Sequence, residues 1–198
     1  FDAIRADDYA RVKDALEKGA EVNTRYDNSW TPLMHAACIS STPEIVRLLL
    51  EKGAEVDARS DADFTPLTFA AARSTRPEIV RLLLAAGSEV DARDEEGGTP
   101  LMIAARFSTT PEIVTLLLAA GAEIEARDNL GQTPLIIAAG FTTTPEIISL
   151  LLAKGADPLA KDNAGHPVLA HAQENEELPG TRAYQQLRKR SRKKWRFW

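Results

Sequence analysis

Apolar residues along this chain fall into short groups whose spacing predicts pairs of helices. Between 33 and 37, Leu33, Ala36 and Ala37 lie three and four positions apart, which places them on one face of a short helix. Between 45 and 50, five of six positions are apolar, so a helix there is apolar around more than half of its circumference. Such a helix has to be covered by neighbours on both sides.

Capping and turn residues predict where these helices begin and end. Thr31-Pro32 places an N-cap before a proline at the first helical position, where the missing N–H is not needed. The polar residues 40–42 end this helix, and Thr42-Pro43 is expected to cap the next one in the same way. Gly53 fits the left-handed position just past a helix end. The alternating segment 55–59 then predicts a short extended arm.

The same arrangement recurs with a period of 34 residues. Thr-Pro-Leu stands at 31–33, 65–67, 99–101 and 133–135; Pro-Glu-Ile stands at 43–45, 77–79, 111–113 and 145–147; Gly-Ala/Ser-Glu/Asp stands at 19–21, 53–55, 87–89, 121–123 and 155–157. Three markers that share one period are not a chance similarity. Because no single unit can bury its second helix, the units must stack, and we predict an all-α solenoid with short β-hairpin-like turns.

These motifs resemble the ankyrin repeat. The pattern Gly-x-Thr-Pro-Leu-x-x-Ala-Ala is clearest at 131–139, and tetratricopeptide repeats, which share the period, lack Thr-Pro-Leu. The resemblance implies stacked helix-turn-helix units that bind other proteins. We expect an N-terminal capping half repeat at 1–26, four repeats at 27–162, and a degenerate C-terminal capping repeat with a basic aromatic tail at 163–198.

One departure from the family pattern concerns the residue after Thr-Pro-Leu. A histidine is usual there, and the resemblance would imply a hydrogen bond between it and the threonine. In this chain the position holds Met34, Thr68, Met102 and Ile136. The threonine–histidine bond therefore cannot form, and packing is expected to replace it.

Composition excludes several classes of protein. With 44% hydrophobic and 27% charged residues, the chain is neither intrinsically disordered nor collagen-like. Its apolar runs are far shorter than the ~18 residues of a membrane-spanning helix. The single cysteine, Cys38, excludes an internal disulfide framework, and it is compatible with a reducing compartment such as the cytoplasm without requiring one. Because the chain begins with Phe1 rather than Met, the sequence leaves open whether a signal peptide has been removed.

No motif for catalysis or phosphate binding is present, so we expect a protein that is not an enzyme and uses no cofactor. Neither Gly-x-Ser-x-Gly nor Gly-x4-Gly-Lys-Ser/Thr occurs. Cys38 and His35, three positions apart on a helix, are interpreted as packing residues. His166 and His171 are five apart, which does not place two ligands on one helical face, so no metal site is expected.

Binding to another protein is the expected role, through turn tips and the exposed side of each first helix. Aromatic residues at the tips of polar turns resemble binding hot spots, although Trp30 could equally cover the junction with the N-terminal cap. Ile39, Phe107 and Phe141 share one column of the repeat, which favours loop packing, and Arg73 breaks that column. The partner is not identified, and a monomer is expected. The predicted protein-binding residues are Asn28, Trp30, Phe64, Arg73, Glu96, Arg106, Leu130 and Gln132.

A second series of residues recurs in the arms between the repeats. Basic residues stand at one position of each arm, and polar or acidic residues stand two positions earlier. We expect the two sets to neutralise each other rather than to bind phosphate. The basic set is Arg25, Arg59, Arg93, Arg127 and Lys161, and the other set is Asn23, Asp57, Asp91 and Glu125.

Charge is unevenly distributed along the chain. The net charge is −5, yet residues 182–198 carry eight basic and no acidic side chains. As a helix, this tail places Tyr184, Leu187, Ser191, Trp195 and Trp198 on a narrow stripe. The stripe either closes the stack as a C-terminal cap or belongs to a basic amphipathic helix for an anionic membrane surface, a calmodulin-like groove or nucleic acid. The second alternative would use Arg188, Arg192, Lys193, Trp195, Arg196 and Trp198.

Overall fold

The computed structural model describes residues 1–73 and 75–193, and side-chain surroundings as far as Ser191. Within these ranges the chain forms short helices in pairs, and none has the length and hydropathy that crossing a membrane requires. The helices are α1 Asp2–Arg5, α2 Tyr9–Glu17, α3 Pro32–Ile39, α4 Pro43–Glu51, α5 Pro66–Arg73, α6 Pro77–Ala85, α7 Pro100–Phe107, α8 Pro111–Ala119, α9 Pro134–Phe141, α10 Pro145–Ala153, α11 Val168–Glu174 and α12 Arg182–Lys193.

The helices pack in two rows. The first helices of the pairs, α1, α3, α5, α7, α9 and α11, contact one another in that order. The second helices, α2, α4, α6, α8 and α10, form the other row, and α12 takes its last position against α10. This arrangement confirms the predicted all-α solenoid.

The core lies between the two rows. In α4, Ile45, Val46 and Leu49 are buried, and the small residues Ala36 and Ala37 of α3 are buried opposite them. The same positions are buried in each following repeat, so the prediction that the second helix is covered by neighbours on both sides is confirmed.

Threonine side chains cap the first helix in each of the four repeats, and Thr181 caps α12. The Thr31 and Thr133 hydroxyl oxygens each accept a hydrogen bond from the backbone N–H three residues on, at 3.3 Å. Thr42 stands at the N-cap position of α4, as predicted, but its side chain makes no capping hydrogen bond, and its hydroxyl donates to the carboxylate of Asp7 at 3.0 Å.

The missing histidine is replaced by more than packing in one repeat. The hydroxyl oxygens of Thr65 and Thr68 lie 3.0 Å apart, and the Thr65 N–H also donates to the Thr68 oxygen at 3.4 Å. In the preceding repeat the Thr31 N–H contacts the Met34 sulfur at 3.4 Å. The expectation that packing alone replaces the threonine–histidine hydrogen bond is therefore wrong for these two repeats.

The turns between repeats are linked by single hydrogen bonds rather than by strands. The predicted extended arm at 55–59 is not a β-strand, and among the described residues only Lys161 and Pro167 form a β-bridge. The N–H of Asn163 donates to the Leu130 carbonyl oxygen in the preceding turn at 3.0 Å. At Gly131, where φ is +74°, an added Cβ would lie 2.9 Å from the Asn163 backbone nitrogen. This close approach of turns therefore requires glycine.

The basic ladder of the arms binds backbone rather than the acidic series. Arg93 Nη1 donates to the carbonyl oxygens of Gly97 and of Arg127, both at 2.8 Å, and Arg127 repeats this pattern one unit on. The acidic residues also bind backbone, as where the Glu89 N–H donates to Asp57 at 3.0 Å. Both series therefore tie one repeat to the next, and Arg59 also pairs with Glu89 at 3.2 Å. The mutual neutralisation of the two sets stays a prediction.

Asp7 ties the N-terminal helix pair to the first complete repeat. Its carboxylate accepts hydrogen bonds from the hydroxyls of Ser40, Ser41 and Thr42, and from the Ser41 N–H at 3.1 Å. Burial acts to raise the pKa of Asp7, but these hydrogen bonds outweigh it and lower the pKa below its usual value.

We expect Asp7→Asn to lower the free energy of unfolding by about 1 kcal/mol at neutral pH, because an amide accepts these bonds less well than a carboxylate. Since the pKa is lowered in the folded state, the contribution is fully present above the ordinary value of about 3.9 and lost as pH falls through the lowered one. Urea unfolding at neutral and acid pH measures it. Glu51→Gln, an exposed charge loss on α4, is the control, and a deficit that persisted in acid would contradict the explanation.

Candidate binding surface

A cavity of about 450 Å³ opens on the first-helix side of the stack. It contains three of the predicted binding residues, Trp30, Phe64 and Arg73, which come from two successive repeats. The remaining lining residues, which the sequence analysis did not select for binding, are Cys38, Thr68, Phe69, Ala72, Ile103 and Phe107.

The repeat itself builds the aromatic wall of this first cavity. Trp30 and Phe64 each stand directly before a capping threonine, so their rings occupy equivalent places 34 residues apart. Phe69 lies between them, with its ring centroid 4.1 Å from that of Trp30 and 5.5 Å from that of Phe64. Phe69 was not predicted as a binding residue. Its equivalents in the neighbouring repeats, 34 positions away, are His35 and Ile103, and this repeat position marks the side of the first helices that faces the cavity.

Both interpretations of Trp30 describe part of its surroundings. One side of the ring packs on His35 at 4.7 Å, and His35 in turn contacts Phe1 at 5.0 Å, so Trp30 covers the junction with the N-terminal helices. The other side lines the first cavity, and the residue is half-buried. Trp30 is therefore a packing residue with an accessible face.

A second, smaller cavity of about 150 Å³ follows on the same side. It contains four more of the predicted residues, Glu96, Arg106, Leu130 and Gln132, and it shares Ile103 with the first cavity. The two cavities therefore belong to one surface that extends over α5, α7 and α9. Asn28, the eighth predicted residue, lies in neither: it is exposed at a turn tip with φ +57°, and its carbonyl oxygen accepts the Asp61 N–H at 3.0 Å.

The column that was expected to pack within loops is exposed instead. Ile39, Phe107 and Phe141 are 49%, 53% and 47% exposed, so that prediction is wrong. The guanidinium of Arg106 lies 5.0 Å from the Phe107 ring and 4.4 Å from the Phe141 ring, which orders the two rings by cation–π contact. Leu130, 65% exposed, adds a further apolar side chain at a turn tip of the same surface.

Charged groups on this surface are not arranged for acid–base chemistry. Burial raises the pKa of the Cys38 thiol, which the positive charge of Arg73 only partly offsets, so the reactive thiolate is disfavoured. Burial also lowers the pKa of His35, and the charge of Arg5 adds to that shift. In the second cavity the carboxylate of Asp94 accepts the N–H groups of Glu96 and Gly98 at 3.0 and 2.7 Å. Among the residues that line the two cavities, Arg73, Arg106 and Glu96 carry exposed charges.

The basic tail is only partly described. Arg188 is exposed, with its guanidinium carbon 5.9 Å from the Tyr184 ring. The side chains of Arg192 and Lys193, and the whole of Trp195, Arg196 and Trp198, lie outside the described residues.

The two C-terminal histidines lie close together, contrary to the sequence interpretation. That interpretation considered the pair only as ligands on one helical face, but α11 begins at Val168, so His166 belongs to the preceding turn. The two imidazole centroids are 6.1 Å apart, and both rings face Asp162. Burial acts to raise the pKa of Asp162, but the hydrogen bonds from His166 and His171 lower it.

Comparison with known proteins agrees with this architecture. No curated protein matches the chain. A family model described as ankyrin repeats (3 copies) matches residues 1–94 and 69–162, which together cover most of the chain. Proteins of this kind are generally protein–protein interaction scaffolds and are typically non-enzymatic. The stacked helix pairs and the recurring Thr-Pro-Leu thus have one explanation: the chain belongs to the ankyrin repeat family.

Proposed function

We propose that this protein is a non-enzymatic scaffold that binds another protein through the surface formed by the two cavities, the concave face of its ankyrin stack. The observation that carries the proposal is the set of exposed apolar side chains that line these cavities, Phe107, Leu130 and Phe141. Exposed apolar groups that border a cavity are typical of interaction sites, because water leaves them readily when a partner binds.

The surface also indicates what a partner should offer. The first cavity is walled by aromatic rings and has Arg73 at its edge, which suits an apolar or aromatic anchor with a neighbouring acidic group. The second cavity pairs Leu130 and Phe141 with the charges of Arg106 and Glu96. The expected partner segment is therefore apolar in two places and charged between them, rather than uniformly acidic or basic.

A displayed library of random peptides tests the proposal without knowledge of the natural partner. Peptides selected on the wild-type protein are synthesised, and their dissociation constants are measured for wild type and for the double variant Phe107→Ala, Leu130→Ala. We expect the double variant to bind at least about tenfold more weakly, since both side chains would be covered in the complex. Both are more than half exposed, so thermal unfolding should change little.

Arg81→Ala is the matched control, because Arg81 lies in α6 in the second-helix row. Its variant should bind the selected peptides as the wild type does. Peptides that bound the double variant with unchanged affinity would place the interaction elsewhere and would contradict the proposal.

A further inference from the structure

Three potential metal ligands meet where the last turn runs into α11. Asp162 Oδ2 lies 2.9 Å from His171 Nε2 and 3.5 Å from His166 Nδ1, and the three ligand atoms lie within 4.8 Å of one another. Among the residues that the structure describes, no other group of three His, Cys, Asp or Glu ligands comes together in this way. The cluster lies outside both cavities of the candidate binding surface.

The backbone holds the central carboxylate in place. Asp162 Oδ1 accepts the His166 N–H at 2.8 Å, which leaves Oδ2 facing the two imidazoles. The Asp162 side chain is 8% exposed and that of His171 is 15% exposed, so two of the three groups are fixed in the fold. The His166 side chain is 65% exposed, so its imidazole can rotate to complete the set of three ligands.

The preceding repeat has the same turn but lacks the imidazoles. Asp128 accepts the Gln132 N–H at 2.7 Å, just as Asp162 accepts that of His166. The positions equivalent to His166 and His171 hold Gln132 and Ile137 there. The turn therefore folds without histidine, and the two imidazoles are an addition to it rather than a requirement of its geometry.

We propose that Asp162, His166 and His171 bind a divalent transition-metal ion of the Zn²⁺ type. Two imidazole nitrogens and one carboxylate oxygen are ligands that Zn²⁺ accepts, with bonds of about 2.0–2.2 Å and so about 3.3 Å between neighbouring ligand atoms. The distances from Asp162 Oδ2 to His171 Nε2 and to His166 Nδ1, 2.9 and 3.5 Å, lie on either side of this ligand–ligand separation. The ion takes the place of the proton between His171 Nε2 and Asp162 Oδ2, which passes to His171 Nδ1 or to solvent. Its fourth position opens to solvent beside His166.

Isothermal titration with Zn²⁺ at neutral pH, on the full chain, tests the proposal. We expect one saturable site per chain, with affinity reduced at least about tenfold in His166→Gln and in His171→Ile, a loss of roughly 1.4 kcal/mol or more. These substitutions copy the residues of the preceding repeat, so they should preserve folding. Addition of Zn²⁺ should raise the melting temperature of the wild type and not of the variants, since a ligand stabilises only the state that binds it.

Asp162→Asn and Asp128→Asn form the matched pair for the carboxylate. Both substitutions weaken an equivalent turn, but only the first removes a proposed ligand, so only the first should weaken Zn²⁺ binding. The proposal is overturned if the wild type shows no saturable binding, or if the histidine variants bind as well as the wild type. In either case the cluster is a hydrogen-bonded pair of histidines on a structural aspartate.

Discussion

A chain that ends at Gly180 is expected to unfold well below the full protein. The missing segment contains α12, which packs against α10 and α11 and completes the second-helix row. Its Leu187 is fully buried and its Ala183 nearly so, and Arg190 donates to the Leu152 carbonyl oxygen at 2.6 Å, near the end of α10. Without α12, the apolar side of α10 would face water, as in any solenoid that lacks its end cap.

Thermal unfolding followed by circular dichroism measures this effect. Losing the burial of Leu187 alone is worth about 2–5 kcal/mol, which in a chain of this size corresponds to a decrease of roughly 5–20 °C in melting temperature. The single variant Leu187→Ala should account for much of that decrease, whereas Lys189→Ala, an exposed position two residues on, should change the melting temperature little.

Equal melting temperatures for the two chains would contradict the role of α12 as a cap. In that case the basic tail would not contribute to the stability of the stack, and its positive charge would become the leading functional feature. Binding to anionic vesicles or to duplex DNA that weakens steeply with salt would then support the alternative function of the tail.

The repeat pattern made the architecture predictable because the same physical requirement recurs. Thr31 caps a helix that has Pro32 at its first position, and the apolar 45–50 segment cannot be covered within its own unit, so stacking is the only way to bury it. The two-row arrangement follows from this requirement alone. Ankyrin-type stacking could therefore be predicted without knowledge of any individual contact.

Contacts between repeats were less predictable because they depend on residues about 34 positions apart. Asp7 accepts hydrogen bonds from the hydroxyls of 40–42, and Arg93 binds carbonyl oxygens rather than the neighbouring acids. These groups satisfy backbone and side-chain donors that a helical pattern does not reveal. Local capping rules gave the N-cap position of Thr42 correctly, but not the hydrogen-bond partner of its side chain.

Much of the candidate surface could be predicted from the repeat pattern. Seven of the eight selected residues line one of two cavities, because turn tips and first helices necessarily face the same side of the stack. Phe69 was missed, since an apolar residue on an apolar helix looks like core until the position of the next repeat is known. Phe107 was assigned to loop packing, but it is exposed and lines the first cavity. The meeting of His166 and His171 was missed because the spacing was tested only for one helical face, whereas one residue lies in a turn and the other on α11.

Leu83→Ala is expected to destabilise the middle of the stack strongly. Leu83 is completely buried in α6, which contacts α4 on one side and α8 on the other. Because the neighbours on both sides are fixed by their own repeats, they cannot close the space that the shorter side chain leaves. We expect the free energy of unfolding to fall by about 2–5 kcal/mol, the range for a buried leucine that leaves a cavity.

Urea unfolding followed by circular dichroism measures that loss, with Arg81→Ala as the control on the same helix. Arg81 pairs with Glu112 at 2.7 Å, but both side chains are about half exposed, at 51% and 52%, so the pair should contribute less than about 1 kcal/mol. If Leu83→Ala cost less than about half a kilocalorie per mole, the neighbouring helices would have to move to fill the space. The stack would then be compliant along its length, and the burial of the second-helix row would not be what holds the repeats together.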